Sequence, residues 1–279
     1  MIHLIIELIV ILMFILIFLF FKDKRKMLIY SLVFSTVFEL LGLLSNGYTY
    51  NQNFSFSIFN LPLFVVLSWS IIIVTSYTLV SKITTHRLTK ALICSLSVIS
   101  VDLVFEAPSV AIGLWKWTNF SNSLFANINP YNFIGWLIVS FLFVYFYEKR
   151  PIYSLVLALP VYVLVGVIHL GLSMIPIVES INSFIMLFIL YLVFVISSIV
   201  LYSKHRIKEK KRLGLKELIL VWLFRAPFFL FGIAVYIWKG DFNSIFVLLI
   251  MFIGIMQEII LYILIIAEWG IKLEKRKKK

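Results

Sequence analysis

Asp102 and Glu106 are candidates for acid–base chemistry, because both carboxyls lie within an apolar run. They are four residues apart, so a helix would carry them on one face. An ionisable side chain inside a bilayer is costly and commonly marks a functional site. Two close carboxyls in a low-dielectric pocket cannot comfortably both ionise, so one should keep its proton at neutral pH. That group would be a general acid, and its anionic partner could stabilise positive charge or act as a base.

Further ionisable residues lie in other apolar runs. A rise of about 1.5 Å per residue places four acidic or basic side chains at a similar depth, roughly 9–18 Å below one membrane face: Glu39, Asp102, Glu106 and His169. Arg225 and Glu258 fall nearer the middle and could pair with each other, or Arg225 could pair with the acids. Single polar side chains can also serve only to join helices, which is the alternative for Glu39 and His169.

Two segments rich in aromatic and amide side chains stand near these acids, at 46–62 (NGYTYNQNFSFSIFNLP) and 115–136 (WKWTNFSNSLFANINPYNFIGW). Trp115, Trp117 and Trp136 would suit an interfacial aromatic belt. A belt does not need so many asparagines, so these segments could instead form the floor of a site that binds a long apolar substrate. Aromatic faces there could stabilise a carbocation, as they do other cations.

The elements that must position these residues are membrane helices. The chain has 279 residues, of which 62% are hydrophobic, and a mean hydropathy of +1.07, whereas a soluble domain is nearer half apolar. The predicted fold is all-α, a single polytopic transmembrane bundle over 1–279. Nine spans of roughly 20 residues are expected, at about 2–21, 27–45, 61–81, 91–114, 132–147, 152–175, 181–203, 215–238 and 243–267. Pro108 and Gly113 are expected to end the fourth.

The charges indicate an orientation for this bundle. Alternate connections and the C-terminal tail hold 22 of the 25 Lys and Arg residues, while the opposite connections hold only Lys116 and Lys239. The positive-inside rule therefore predicts an outer N-terminus and a cytoplasmic C-terminus, in a multi-pass protein of the cell membrane. The first segment lacks a basic n-region and a small-residue cleavage site, so it is expected to be a retained helix.

The net charge of +12 does not indicate nucleic acid, because the basic residues stand in short clusters between apolar runs. Anionic headgroups are their expected partner. The only cysteine, Cys94, excludes an internal disulfide and a multi-cysteine metal site. Motifs typical of zinc proteases, P-loop ATPases, dinucleotide enzymes and serine hydrolases are missing from the sequence.

An ordered set of short motifs resembles a known family. The set runs from Glu39 through NGYTY (46–50), LPL (61–63), SW (68–69), Asp102, Glu106 with Pro108, and GLWKW (113–117) to NPYNFIGW (129–136). It resembles the integral-membrane carotenoid biosynthesis family that includes the carotenoid hydratases of bacterioruberin and myxol-type pathways, distant relatives of the membrane lycopene cyclases. The resemblance covers roughly 35–140. Two departures are Ala107 between the acid and the proline, and the NINPYNF entry to the last motif.

The resemblance implies a hydro-lyase that adds water to the terminal alkene of a ψ-end isoprenoid. Protonation at the less substituted carbon would give a tertiary carbocation, which water captures, without a metal or organic cofactor. Asp102 and Glu106 are the candidate proton donor and cation stabiliser, in either order. Glu39 and Asn132 are candidates to orient and hydrogen-bond the water. The candidates to line the cation pocket are Trp115, Trp117 and Trp136. The candidates to bind the substrate are Tyr48, Trp69, His169 and Arg225.

Three alternatives stay open from the sequence. A lycopene-cyclase-like isomerase would use the same protonation and trap the cation with an internal alkene. Buried acids, a histidine and an arginine also suit a proton-coupled transporter, although no two-fold repeat of broken helices is evident. A structural protein of a membrane complex would need its acids only for stability.

Overall fold

The computed structural model describes residues 2–118, 127–173, 181–205, 215–239 and 245–277. Within these ranges the chain forms ten α-helices and four short strands. The helices are α1 (Ile2–Phe20), α2 (Arg25–Leu44), α3 (Leu63–Val80), α4 (Arg87–Ala111), α5 (Pro130–Lys149), α6 (Pro151–Val156), α7 (Ala158–Ser173), α8 (Ile181–His205), α9 (Leu215–Lys239) and α10 (Ile245–Lys277). The strands are β1 (Tyr48–Tyr50), β2 (Ser57–Ile58), β3 (Leu61–Pro62) and β4 (Trp115–Trp117).

Eight helices in the described part of the chain are long and apolar enough to cross a membrane. Large apolar side chains such as Leu12, Ile196 and Ile263 are more than half exposed on the outer helices α1, α8 and α10, where lipid would cover them. The chain is therefore an all-α, multi-pass membrane protein, which confirms the predicted fold class.

The sixth predicted span, 152–175, differs from the expectation because it is divided into α6 and α7 at Leu157. Pro160 explains the division. It has no N–H to donate to the carbonyl of Val156, where α6 ends, and its ring would collide with that carbonyl in a continuous helix. Proline is tolerated in the first turn of a new helix, which is where α7 places it.

Helix α4 is buried along most of its length and contacts α3, α5, α8, α9 and α10. Glycines let two of these neighbours approach closely, as in other membrane bundles. A Cβ on Gly254 would lie 2.6 Å from the Ser100 carbonyl oxygen, and one on Gly232 would collide with the Val104 carbonyl. That second carbonyl is the one Pro108 leaves without its helical N–H partner. The central helix is thereby fixed among its neighbours.

Pro108 does not end α4, contrary to the sequence expectation. The helix continues to Ala111 with the proline inside it. Gly113 ends it with a positive φ of 72°, and the following Leu114 N–H donates to the Ser109 carbonyl at 2.9 Å. This glycine-terminated ending turns the chain directly into β4.

A two-stranded antiparallel sheet closes one end of the bundle. It joins β1, which follows α2, to β4, which follows α4, with Tyr48 opposite Trp117 and Tyr50 opposite Trp115. Side chains two apart on a strand share a face, so these four aromatic residues point the same way. This sheet was not predicted.

Glu7 is a further acid that lies buried within a helix. It is fully buried in α1 and accepts the backbone N–H groups of Ser55 (3.0 Å) and Phe56 (2.8 Å). Its carboxyl therefore ties the connection between β1 and β2 to the first helix.

Candidate active site

A cavity of about 290 Å³ lies beneath the β1–β4 sheet. Its wall is built from α2, α3, α4, α5, α7, α9 and the two strands. Nine of the residues singled out in the sequence line it: Glu39, Tyr48, Trp69, Asp102, Glu106, Trp115, Trp117, Asn132 and Trp136. Two helices, α2 and α4, thus bring three carboxyls to one cavity beneath the sheet.

Glu39 is held by the two tyrosines of β1. It is 4% exposed, and its Oε2 accepts the hydroxyls of Tyr48 at 2.5 Å and Tyr50 at 2.7 Å. Gly42, one turn further along α2, makes this possible because a Cβ there would collide with the Tyr48 phenol. Helix and strand are thereby joined through a buried carboxyl.

Glu106 is held in the same way by β4. Both indole N–H groups, of Trp115 and Trp117, donate to its Oε1 at 2.9 Å. Lys116 lies between the two tryptophans on the opposite side of the strand and is exposed. The WKW sequence therefore supplies two hydrogen-bond donors to the acid, in addition to the aromatic surface expected from it.

Asp102 lies one turn before Glu106 on α4 and is 6% exposed. Its Oδ2 accepts the side-chain amide N–H of Asn132 at 3.2 Å. Among the described residues this is the single hydrogen bond to its carboxyl. The three acids thus differ in their surroundings: Glu39 and Glu106 each accept two strong donors, and Asp102 accepts one long one.

Aromatic rings form the rest of the wall. Trp69 stacks on Trp136 with an interplanar angle of 13°, and Phe38 meets Trp136 edge-on at 5.5 Å between centroids. Phe105 packs at 6.0 Å from Trp115. Such faces present negative potential to any cation in the cavity.

Arg225 is not among the residues that line the cavity. It is 1% exposed and forms a bidentate pair with Glu258, at 2.5 Å from Nε and 2.7 Å from Nη2. Ser76 and the Ser97 carbonyl each accept a further bond at 2.7 Å. Its charge is thus used to join α9 and α10 to α3 and α4, so the geometry gives no support for Arg225 as a substrate-binding residue.

His169 belongs to α7, but its side chain lies outside the described residues. Gly166, one turn earlier on the same helix, lines the cavity.

Sequence reasoning missed several cavity residues. Tyr50 was part of the quoted NGYTY motif, and the alternation in YTY is a signal that it shares a face with Tyr48. Ser68, Phe105 and Tyr131 also line the cavity. Ser68 and Tyr131 stand within the SW and NPYNFIGW motifs, which is a signal for them, whereas nothing in the sequence position of Phe105 separates it from ordinary helix residues.

No curated protein and no solved structure gives a significant match to the chain. One family model, described as carotenoid biosynthesis protein, matches residues 1–194. The match confirms the resemblance seen in the motifs and extends it on both sides of 35–140. It includes all the acids that line the cavity. Because it spans well over half of the chain, this protein belongs to the family of carotenoid biosynthesis proteins.

Proposed function

We propose that this protein is a carotenoid hydratase, which adds water to the terminal alkene of an open ψ-end. The observation that carries the proposal is the cavity with three buried carboxyls in unequal surroundings beneath an aromatic sheet. Its family supports a carotenoid as the class of substrate.

Asp102 is the proposed proton donor. Hydrogen-bond donors stabilise the ionised form of a carboxyl, and Glu39 and Glu106 each accept two of them. Asp102 accepts only the Asn132 amide among the described residues. Burial with a single donor favours the neutral acid more than burial with two, and a neutral acid is what an alkene must meet to be protonated.

The other two acids and the aromatic rings are proposed to stabilise the cation. The alkene takes the Asp102 proton at its less substituted carbon, which leaves positive charge on the tertiary carbon. Glu106, fixed by its two tryptophans, supplies a preorganised negative charge close to the donor, and Glu39 supplies a second. The rings of Trp69 and Trp136, which both line the cavity, add a cation–π contribution.

Water capture completes the proposed reaction. A water molecule forms a C–O bond to the tertiary carbon, and the oxonium loses a proton that restores the Asp102 carboxyl. The sum is one alkene plus one water giving one tertiary alcohol. Asn132, whose amide N–H meets Asp102, would keep that carboxyl oriented through the cycle rather than bind the water directly.

Expression in cells that accumulate an open-ended carotenoid tests this proposal, with pigments analysed by mass spectrometry. The wild type should add the mass of one water per reacted end, and Asp102→Asn and Glu106→Gln should abolish the gain. Glu148→Gln is the matched control. That acid does not line the cavity and pairs with Lys90 at 2.9 Å.

Three results would contradict parts of this proposal. An isomer of unchanged mass would identify a cyclase. Unaltered pigments in cells that hold well-folded protein would contradict the enzymatic reading. A mass gain in the Asp102→Asn variant would show that Asp102 is not the proton donor.

A further inference from the structure

Ser68 carries an unused hydroxyl on the wall of the cavity. The residue is 6% exposed and lines the cavity from α3. Its Oγ is fully buried and has no hydrogen-bond partner among the described residues. A buried hydroxyl without a partner costs free energy, so such a group usually faces a water or a ligand.

The other hydroxyls of the same helix behave differently. Ser70 donates to the Val66 carbonyl at 2.9 Å, Thr75 to the Ile71 carbonyl at 2.7 Å, and Thr78 to the Val74 carbonyl at 2.7 Å. This back-bonding is how serine and threonine are ordinarily satisfied within a membrane helix. Ser68 has no such bond, which leaves its hydroxyl without a partner beside the cavity.

We infer that Ser68 binds the water that captures the carbocation, an inference that rests on the proposed hydration. The Ser68 oxygen accepts one hydrogen bond from this water and leaves a water lone pair free for the tertiary carbon. The neighbouring Trp69 lines the same cavity and can offer its aromatic ring to the cation. Proton donor and water are then supplied by different helices, α4 and α3.

The chemical balance of the step is unchanged by this assignment. The C–O bond forms from a water lone pair, and one water proton passes to the Asp102 carboxylate that gave its own proton to the alkene. Ser68 is neither consumed nor ionised and is a positioning residue for the nucleophile. Without it the cation can still form, but it then loses a proton and returns to an alkene.

The test separates protonation from capture by using membranes that contain the protein in D₂O with an open-ended carotenoid. A cation that returns to the alkene by losing the original hydrogen and not the added deuterium leaves deuterium on the less substituted carbon of recovered substrate. Ser68→Ala should lower the rate of alcohol formation at least about tenfold while deuterium continues to enter recovered substrate. Ser68→Thr, which keeps a hydroxyl, should restore alcohol formation.

Ser70→Ala is the matched control, because Ser70 is fully buried in the same helix and bonds only within it among the described contacts. It should leave both readouts at the wild-type level. Alcohol formation by Ser68→Ala at the wild-type rate, or an equal loss of alcohol and deuterium, would overturn the assignment of the water. A wild type that yields neither alcohol nor deuterium would instead overturn the hydratase on which it rests.

Discussion

At the scale of single residues, the site consists of acids distinguished by what donates to them. Glu39 and Glu106 each accept hydrogen bonds from two aromatic side chains, whereas Asp102 accepts one from an amide N–H at 3.2 Å. Identical chemical groups can therefore take different parts in one reaction. The difference comes from their neighbours and not from their depth in the bundle.

Tyr50→Phe tests the hydrogen bond from the Tyr50 hydroxyl to Glu39. The change removes the hydroxyl that lies 2.7 Å from the carboxyl and keeps the ring that packs on Trp115. A buried hydrogen bond to a charged group contributes about 1.5–3 kcal/mol, so the free energy of unfolding in detergent should fall by that order. Tyr30→Phe, outside the cavity, is the control. Equal stability of the Tyr50 variant and the wild type would show that the bond is not formed.

Arg225→Met tests whether this arginine serves the fold or the substrate. Leaving Glu258 buried without its partner should lower the free energy of unfolding by about 3–5 kcal/mol. The double variant Arg225→Met/Glu258→Met should regain most of the stability and keep the proposed hydratase activity, since neither residue lines the cavity. A stable double variant without activity would instead indicate that Arg225 acts in substrate binding.

At the scale of elements, the parts of the site that depend on neighbouring residues could be predicted from the sequence. The parts that depend on contacts between distant residues could not. Apolar runs and charge clusters place Glu39, Asp102 and Glu106 at one depth, because helix rise is a local property. The pairing of β1 with β4 joins residues almost 70 positions apart, and three-residue strands carry no periodicity that reveals it. The break between α6 and α7 had a local signal in Pro160, which the hydropathy of its surroundings concealed. The free hydroxyl of Ser68 depends on tertiary packing alone.

Two glycines leave the cavity open along α5 and α7. Gly135 and Gly166 both line it, and a Cβ on either would meet nothing within 4 Å. Leucine at 166 should therefore fill the cavity without straining the helix, because it is the better helix former. Hydration of a long open-ended carotenoid by Gly166→Leu should fall at least about tenfold, measured as initial rate in membranes.

Gly171→Leu provides the matched control on the same helix. Its Cβ would also meet nothing within 4 Å, but the residue is not part of the cavity wall. It should hydrate at the wild-type rate. Undiminished hydration by Gly166→Leu would show that the substrate does not pass this side of the cavity.

At the scale of the whole molecule, the bundle has a buried axis of α3 and α4 and a lipid-facing rim that includes α1, α8 and α10. The positive-inside rule predicts that the end closed by β1 and β4 faces outward, and that the N-terminal connection at 22–26 faces the cytoplasm. The site would then open within the outer half of the membrane, where an apolar substrate can reach it from lipid.

Labelling of single cysteines tests this orientation. Cys94, which is fully buried, is first replaced by alanine. Lys116→Cys and Asp23→Cys, both at exposed positions, are then treated with a membrane-impermeant maleimide. Lys116→Cys should react in intact cells, and Asp23→Cys should react only after lysis. The reverse pattern would invert the topology.

Deuterium transfer from solvent to carbon tests proton donation by Asp102. Membranes containing the wild type, incubated in D₂O with an open-ended carotenoid, should yield an alcohol that carries one deuterium on the carbon next to the new C–OH. Asp102→Asn cannot give up a proton from its side chain, so it should lose about 10²–10⁴ in rate and leave recovered substrate free of deuterium. Deuterated alcohol formed by Asp102→Asn at the wild-type rate would contradict the account.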